Sequence, residues 1–218
     1  MKKKPLSEKS KMKIAKLLEL DFVRGVLDKH LKNHYPDFKK VKEISCEPYK
    51  KHLGIASAVF VVEYEVKYQT ISNRQKSIDI FSSAHSDGSR WGAYQKTKVL
   101  YEHGFAKGKF RVTTPLFFLK EQKAFFYVAS PGRSLFSFFT QNPKANLRPA
   151  MKLASGWIKK VHDFDTSLTN FPWATFKIGR MIPMPRFFIP DFYSSSKKMG
   201  KTVEDLVEGL KKQAAYYN

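Results

Sequence analysis

Polar and apolar residues alternate along the first half of the chain, as expected for strands that bury one face. The clearest example runs from Phe60 to Tyr68, where apolar side chains recur at every second position. Gly54 lies in the turn before it and marks the end of the preceding strand. The predicted strands cover residues 41–49, 56–68, 77–82, 116–120 and 124–129.

Four other segments have apolar residues at helical spacing, one before the predicted strands, one between them and two after them. The predicted helices cover residues 14–34, 89–103, 150–162 and 202–217. Gly25 interrupts the first helix, Gly104 ends the second, and Thr202 with Asp205 forms a capping box for the last. Residues 1–13 are expected to be a loose basic arm. The element order β-β-β-α-β-β followed by helices predicts an α+β fold with a five-stranded antiparallel sheet.

Composition narrows the class of protein. A chain of 218 residues with 42% hydrophobic residues can bury a core, which argues against wholesale disorder. A single cysteine, Cys46, excludes an internal disulfide and a cysteine-based zinc cluster, and fits a reducing compartment. The basic N-terminus is not followed by an apolar segment, so we expect neither a signal peptide nor a membrane span. These features predict a cytoplasmic protein.

The net charge of +21 raises the question of an anionic partner. Only eight of the forty basic residues are arginines, the side chain that favours bidentate contacts with phosphate and bases. The lysines are spread along the chain instead of forming one stripe. This pattern favours a solvated basic surface, and nucleic acid is the less favoured partner.

The segment after the fifth predicted strand is the most informative part of the sequence. An apolar run, Ala124–Ala129, stops at Ser130-Pro131-Gly132, and a new apolar pattern starts behind Ser134, a candidate cap for a short helix. This arrangement suits a hinge between two lobes, with a ligand held against its backbone. An ordinary strand-to-helix turn is the alternative, because Pro-Gly and a capping serine need no ligand.

The order of elements and four short motifs resemble the small lobe of the aminoglycoside phosphotransferase and choline kinase group, distant relatives of protein kinases. The motifs are Val99–Phe105, Pro115–Phe118, Pro131–Leu135 and Leu153–His162. The likeness covers roughly residues 40–165. It implies a sheet that folds over ATP with Mg²⁺ and a linker whose backbone binds adenine. The matching linker residues are Tyr127, Val128, Ala129 and Ser130.

The phosphate-binding features of that group are altered in this sequence. The resemblance implies a lysine on the third strand, but Asp79 lies near that position and Lys76 is the neighbour that could reach a phosphate. Residues 88–101 contain no acid to pair with such a lysine. Gly54 lies where a nucleotide-covering loop is expected. The predicted nucleotide-binding residues are therefore Gly54, Lys76 and the four linker residues.

The catalytic signature His-Gly-Asp-x-x-x-x-Asn of the group is absent from the sequence. Asp165 and Asn170 have the right mutual spacing, with Asp191 downstream, but no apolar strand leads into Asp165 and we interpret the match as chance. His30 and His34 have the spacing of a metal pair, but a solvated helix face is the preferred interpretation. We therefore predict no catalytic and no metal-binding residue.

These observations predict three segments: a basic arm and helix at 1–40, a kinase-like small lobe at 41–130, and an incomplete helical large lobe at 131–218. The leading hypothesis is an ATP-dependent small-molecule phosphotransferase that lacks its catalytic loop here. Its acceptor would be a small molecule with a hydroxyl group. The alternatives are a non-catalytic basic module that binds RNA or an acidic partner, and a pseudokinase scaffold.

Overall fold

The structure is a computed structural model that describes residues 5–132, 148–169, 171, 193–194 and 196–216. The chain divides into two compact units, Met1–Phe171 and Pro172–Asn218. The first unit contains the sheet and most of the described helices.

A five-stranded antiparallel sheet forms the centre of the first unit, with strand order β1-β2-β3-β5-β4. The strands are β1 Phe38–Leu53, β2 Ala58–Thr70, β3 Gln75–His85, β4 Pro115–Leu119 and β5 Ala124–Val128. The described helices are α1 Glu8–Ala15, α2 Leu20–His30, α3 Arg90–Leu100, α4 Arg148–His162 and, in the second unit, α5 Lys197–Tyr216. The predicted α+β class and antiparallel sheet are confirmed.

One face of the sheet packs against α1 and α2 and forms the core; we call it the covered face. Even-numbered residues of β2 line it, including Phe60, Tyr64 and Val66, none of which has solvent exposure. The Tyr64 hydroxyl donates to the carbonyl of Leu17 at 2.6 Å and lies 3.0 Å from Ser82 Oγ. Apolar residues alternate with polar ones in β2 because only one face of the strand is buried.

The N-terminal region differs from its prediction in two respects. Residues expected to be a loose arm form α1, because Ser7 caps the helix through its hydroxyl and Ile14 is buried in the core. The helix predicted from residue 14 to 34 is broken at Glu19, which has an extended backbone, and not at Gly25. Val23 and Leu27 keep one buried stripe running past Gly25, so the glycine does not interrupt α2.

The ends of α3 and α5 can also be compared with the ends that the sequence predicts. The stop predicted at Gly104 is confirmed: a single π-helical turn, Tyr101–Phe105, follows α3, and Gly104 has φ of +95°. The predicted capping box of α5 is wrong. The helix begins at Lys197, and the Thr202 hydroxyl donates to the carbonyl of Lys198 inside the helix at 2.9 Å. The predicted cap at Ser134 lies outside the described residues.

The last helix of the first unit, α4, packs on the segment that follows α3. Trp157 Nε1 donates to the carbonyl of Arg111 at 3.0 Å, and Lys160 Nζ donates to the carbonyls of Gly104 and Phe110. None of the helices in the described part of the chain is both long enough and apolar enough to cross a membrane.

Candidate functional site

The second face of the sheet is only partly covered, and we call it the open face. It carries the odd-numbered residues of β2 and the β3 residues opposite them, such as Glu63 opposite Phe81 and Glu65 opposite Asp79. Helix α3 covers the β4–β5 end, where the Tyr94 ring lies 5.4 Å from Phe125 and 6.2 Å from Phe118. The β1–β3 part of this face therefore remains accessible to a ligand.

Aromatic rings form the floor of the open face next to the end of β5. The rings of Phe81 and Tyr127 stack with centroids 5.8 Å apart, and Phe125 lies 5.0 Å from Tyr127. Burial raises the pKa of the Tyr127 phenol; the positive charge of Arg90 opposes this shift, and the carboxylate of Glu63 adds to it. Glu63 lies opposite Phe81, which pairs with Tyr127, and Arg90 belongs to the helix that packs on Phe125.

The segment Tyr127–Ser130, here called the connector, leaves the sheet on this floor. The Val128 N–H donates to the carbonyl of Thr114 at 3.0 Å, and the Ala129 N–H donates to the carbonyl of Asp79 at 2.8 Å. The Val128 carbonyl accepts from the Thr113 hydroxyl. Within the described residues, the Ala129 carbonyl and the Ser130 N–H have no hydrogen-bond partner. The described part of the chain thus leaves the acceptor and the donor of one trans peptide for a ligand, and the two point in opposite directions.

Carboxylates surround a recess of about 410 Å³ on the open face. The residues that line it are Ser45, Cys46, Glu47, Glu63, Glu65 and Asp79. In the strand register Glu47 lies opposite Glu63, and Glu65 lies opposite Asp79. No ion pair within the described residues involves any of these four carboxylates. Opposed like charges destabilise a sheet, so this acidic cluster stands out in a chain of net charge +21.

Two predicted site residues lie away from the connector. Lys76 belongs to the covered-face side of β3, opposite Tyr68, and its Nζ lies 2.6 Å from Asp37 Oδ2. This hydrogen bond raises the Lys76 pKa and keeps its charge neutralised by the carboxylate. Lys76 is three positions, roughly 10 Å along the strand, from Asp79, whose carbonyl bonds the connector, and it lies on the opposite face of the sheet. The structure therefore does not bring Lys76 to the connector.

Gly54 lies in the β1–β2 loop, at the opposite end of the sheet from Lys76. Its N–H donates to the carbonyl of Ser57 at 2.8 Å, and a β-carbon at this position would lie 2.7 Å from His52 Nε2. The glycine is thus explained by a tight turn beside a histidine ring. Asp79, by contrast, lies on the open face beside Ala129, so the position that the resemblance assigns to a lysine does face the candidate site.

Sequence reasoning missed Arg90, the first residue of α3. Its Nε is buried without a hydrogen-bond partner, and its guanidinium forms no ion pair within the described residues. The sequence does show that Arg90 directly follows the Asp87-Gly88-Ser89 turn, and this turn positions the start of α3 at the edge of the open face. Its contact with the site depends on tertiary packing and was not predictable from that motif.

The remaining candidates have structural roles. Asp165 caps a short 3-10 turn, Thr166–Leu168, and accepts from the Ser167 N–H at 2.9 Å and its hydroxyl at 2.6 Å, which lowers the Asp165 pKa. Its sequence partners Asn170 and Asp191 lie outside the described residues. His30 stacks on Phe117 at 4.3 Å. In the described part of the chain, no group of three potential ligands could hold a metal ion.

A separate cavity of about 550 Å³ lies at the outer edge of β4. Three tyrosines line it, Tyr35, Tyr94 and Tyr101, together with the loosely paired Lys98 and Glu102. Burial raises the pKa of Tyr35 to about 12, and the nearby phenols add to the shift. This cavity opens beside β4 and does not include the connector.

Comparisons with family models, with curated proteins and with solved structures found no match to this chain. The fold and the site by themselves define an α+β protein whose antiparallel sheet presents an acidic, partly aromatic face beside a chain connector.

Proposed function

We propose that this protein binds an adenine nucleotide on the open face, in the manner of the small lobe of an aminoglycoside or choline kinase-type phosphotransferase. The observation that carries the proposal is the connector, where the chain leaves the sheet and the Ala129 carbonyl and the Ser130 N–H have no partner among the described residues. These two groups belong to one trans peptide and point in opposite directions, so one edge of a purine pairs with only one of them. We place an acceptor nitrogen of the purine on the Ser130 N–H.

The aromatic floor supports the same placement. A base held at Ala129 and Ser130 lies beside Tyr127, whose ring stacks on Phe81 on the same face. Flat apolar surfaces of this kind favour planar ligands, and a hydrogen bond from the Ser130 N–H would fix the orientation of the base. The element order β-β-β-α-β-β, with α3 packed on the open face, is consistent with the small lobe that the motifs resemble.

Electrostatics restricts the form of the nucleotide. The carboxylates of Glu63, Glu65 and Asp79 repel a free triphosphate, whereas a bound Mg²⁺ reduces its negative charge. We therefore expect Mg-ATP to bind more tightly than ATP in the presence of a chelator. Lys76 plays no part in this proposal because it is paired with Asp37 on the other side of the sheet.

The proposal covers binding and assigns no catalytic residue. Transfer of a phosphoryl group needs an aspartate that positions the hydroxyl and two ligands for metal. Within the described residues Asp165 caps its own turn, and Asp163, which directly follows α4, pairs with Lys159 at 2.6 Å. Activity measurements with hydroxyl-containing acceptors would distinguish an active phosphotransferase from a pseudokinase. Nucleotide binding is the step to test first.

The test is calorimetric titration of the protein with Mg-ATP. We expect saturable binding that Ser130→Pro weakens, because proline removes the N–H offered to the base and, within the described residues, this N–H makes no other hydrogen bond. Ser130→Ala is the matched control, since it retains the N–H and should bind as the wild type does. Lys76→Gln should also leave affinity unchanged. An absence of binding at millimolar Mg-ATP, or a loss on Lys76→Gln alone, would refute the proposal.

A basic surface favours the second candidate, binding to RNA or to an acidic partner. Exposed Lys107, Lys109 and Arg111 follow α3, and α4, which packs on this segment, adds Lys152 and Lys159. Binding through this surface would weaken steeply with salt. A fluorescently labelled RNA titrated at 50 and 200 mM salt tests it, and affinity that does not change with salt excludes it.

A further inference from the structure

The open face contains one cation whose environment indicates an anionic ligand. Arg90 has a buried Nε without an acceptor among the described residues, and the residue as a whole is partly exposed. A buried donor without a partner is costly, and it is retained most readily where a ligand supplies the acceptor. In the described part of the chain, no carboxylate lies within ion-pair distance of this guanidinium.

The position of Arg90 on α3 directs it toward the aromatic floor. Arg90 and Tyr94 are four residues apart and therefore lie on the same helix face. The Tyr94 ring packs on Phe125, and Phe125 lies 5.0 Å from Tyr127. The side chain of Arg90 is accordingly close enough to the Tyr127 phenol to oppose the effect of burial on its pKa.

The distance from the connector suits a nucleotide. Tyr127 is two positions before Ala129, and both residues belong to the open face, so their Cα atoms lie roughly 7 Å apart. A nucleoside whose base contacts Ala129 and Ser130 can extend along β5 toward Tyr127 and place its phosphates near α3. The guanidinium provides paired N–H donors that match two phosphate oxygens.

We propose that Arg90 binds a phosphate group of the nucleotide, in the role that the resemblance assigns to a lysine on the third strand. This inference rests on the proposed function, because it assumes a nucleotide on the open face. It also explains how the site can hold phosphate although Asp79 lies at the lysine position and Lys76 is engaged with Asp37.

Arg24 provides a matched control for the experiment. Its Nε is also buried without a partner, but it belongs to α2, which packs on the covered face. Removing its charge changes the net charge of the protein by the same amount as removing that of Arg90. A change that follows from net charge alone should therefore occur in both variants, whereas loss of a direct contact should occur only in Arg90→Gln.

The experiment titrates wild type, Arg90→Gln, Arg90→Lys and Arg24→Gln with Mg-ATP and with adenosine, after thermal unfolding has shown that each variant is folded. We expect Arg90→Gln to weaken Mg-ATP binding about ten- to hundred-fold, the effect of one charged hydrogen bond. Adenosine affinity should stay unchanged, Arg24→Gln should match wild type, and Arg90→Lys should recover part of the loss. Equal Mg-ATP affinity of Arg90→Gln and wild type overturns the inference while the proposed function stands.

A different result would refute the proposed function and still leave the role of Arg90 to be tested. If wild type binds neither adenosine nor Mg-ATP, the proposed function fails, and the same proteins are titrated with inorganic pyrophosphate. Pyrophosphate binding that Arg90→Gln abolishes and Arg24→Gln retains would keep Arg90 as an anion-binding residue. Absence of pyrophosphate binding, or binding that does not depend on Arg90, would overturn this inference as well.

Discussion

Substitution of Asp79 by lysine reverses a charge at the centre of the acidic cluster. Asp79 lies opposite Glu65 in the β2–β3 pair, and within the described residues neither forms an ion pair. Removing an opposed like charge and creating an opposite-charge pair are each worth about 0.2–1 kcal/mol. Asp79→Lys should therefore stabilise the protein by about 0.4–2 kcal/mol. For a chain of this size the Tm should rise by about 2–4 °C for each kcal/mol.

Thermal and urea unfolding at low salt and in 1 M salt measure this effect. At 1 M the screening length is about 3 Å, so most of the gain should disappear. Asp79→Asn removes only the repulsion and should give about half of the gain. Glu43→Gln is the control on the same face: it breaks the pair between Glu43 and Lys67, whose atoms are 2.7 Å apart, and should lower the Tm. A less stable Asp79→Lys variant, or a gain that salt does not change, would refute the electrostatic reasoning.

Three further predictions concern the framework of the first unit. Tyr64→Phe should lower the free energy of unfolding by about 1–2 kcal/mol in urea, because the buried carbonyl of Leu17 loses its donor; an unchanged value would contradict this. Gly156→Ala should displace the ring of Phe110, because the new β-carbon would lie 2.6 Å from it, and this should change the fluorescence of Trp157. Gly92→Ala is the control: it has open space around it, so it should leave the fluorescence unchanged and stabilise α3. Because the pKa of Tyr35 is raised to about 12, its contribution to the free energy of unfolding is complete below pH 10 and is lost as the pH rises to about 12. Tyr35→Phe should therefore make the stability depend less on pH between about pH 10 and 12. An equal slope in both proteins would contradict the raised pKa of Tyr35.

The sheet was predictable because half-buried strands leave a direct record in the sequence. Alternation in β2 reflects one buried face, and the short apolar runs of β4 and β5 reflect strands that pack on both sides. Gly104 ended its helix as predicted because its backbone has a positive φ, which glycine adopts without strain. The first helix was missed because α1 is mostly polar and buries only Ile14.

The site was less predictable because the face occupied by a strand residue depends on register. Moving a strand by one residue transfers its side chains to the other face. Lys76 and Asp79 are three positions apart in β3 and so lie on opposite faces, but only the register shows that Asp79 is the one on the open face and Lys76 is on the side of Asp37. The importance of Arg90 depends on the packing of α3 against Phe125, a contact between residues distant in the sequence.

We expect a nucleotide to contact the connector. Amide chemical-shift mapping of isotope-labelled protein during titration with Mg-ATP tests this claim most directly. The largest changes should occur at Ala129, Ser130 and Phe81, while Lys76 and Gly54 stay unchanged. No change at millimolar Mg-ATP, or changes centred on Lys76 and Gly54 instead of the connector, would contradict the account.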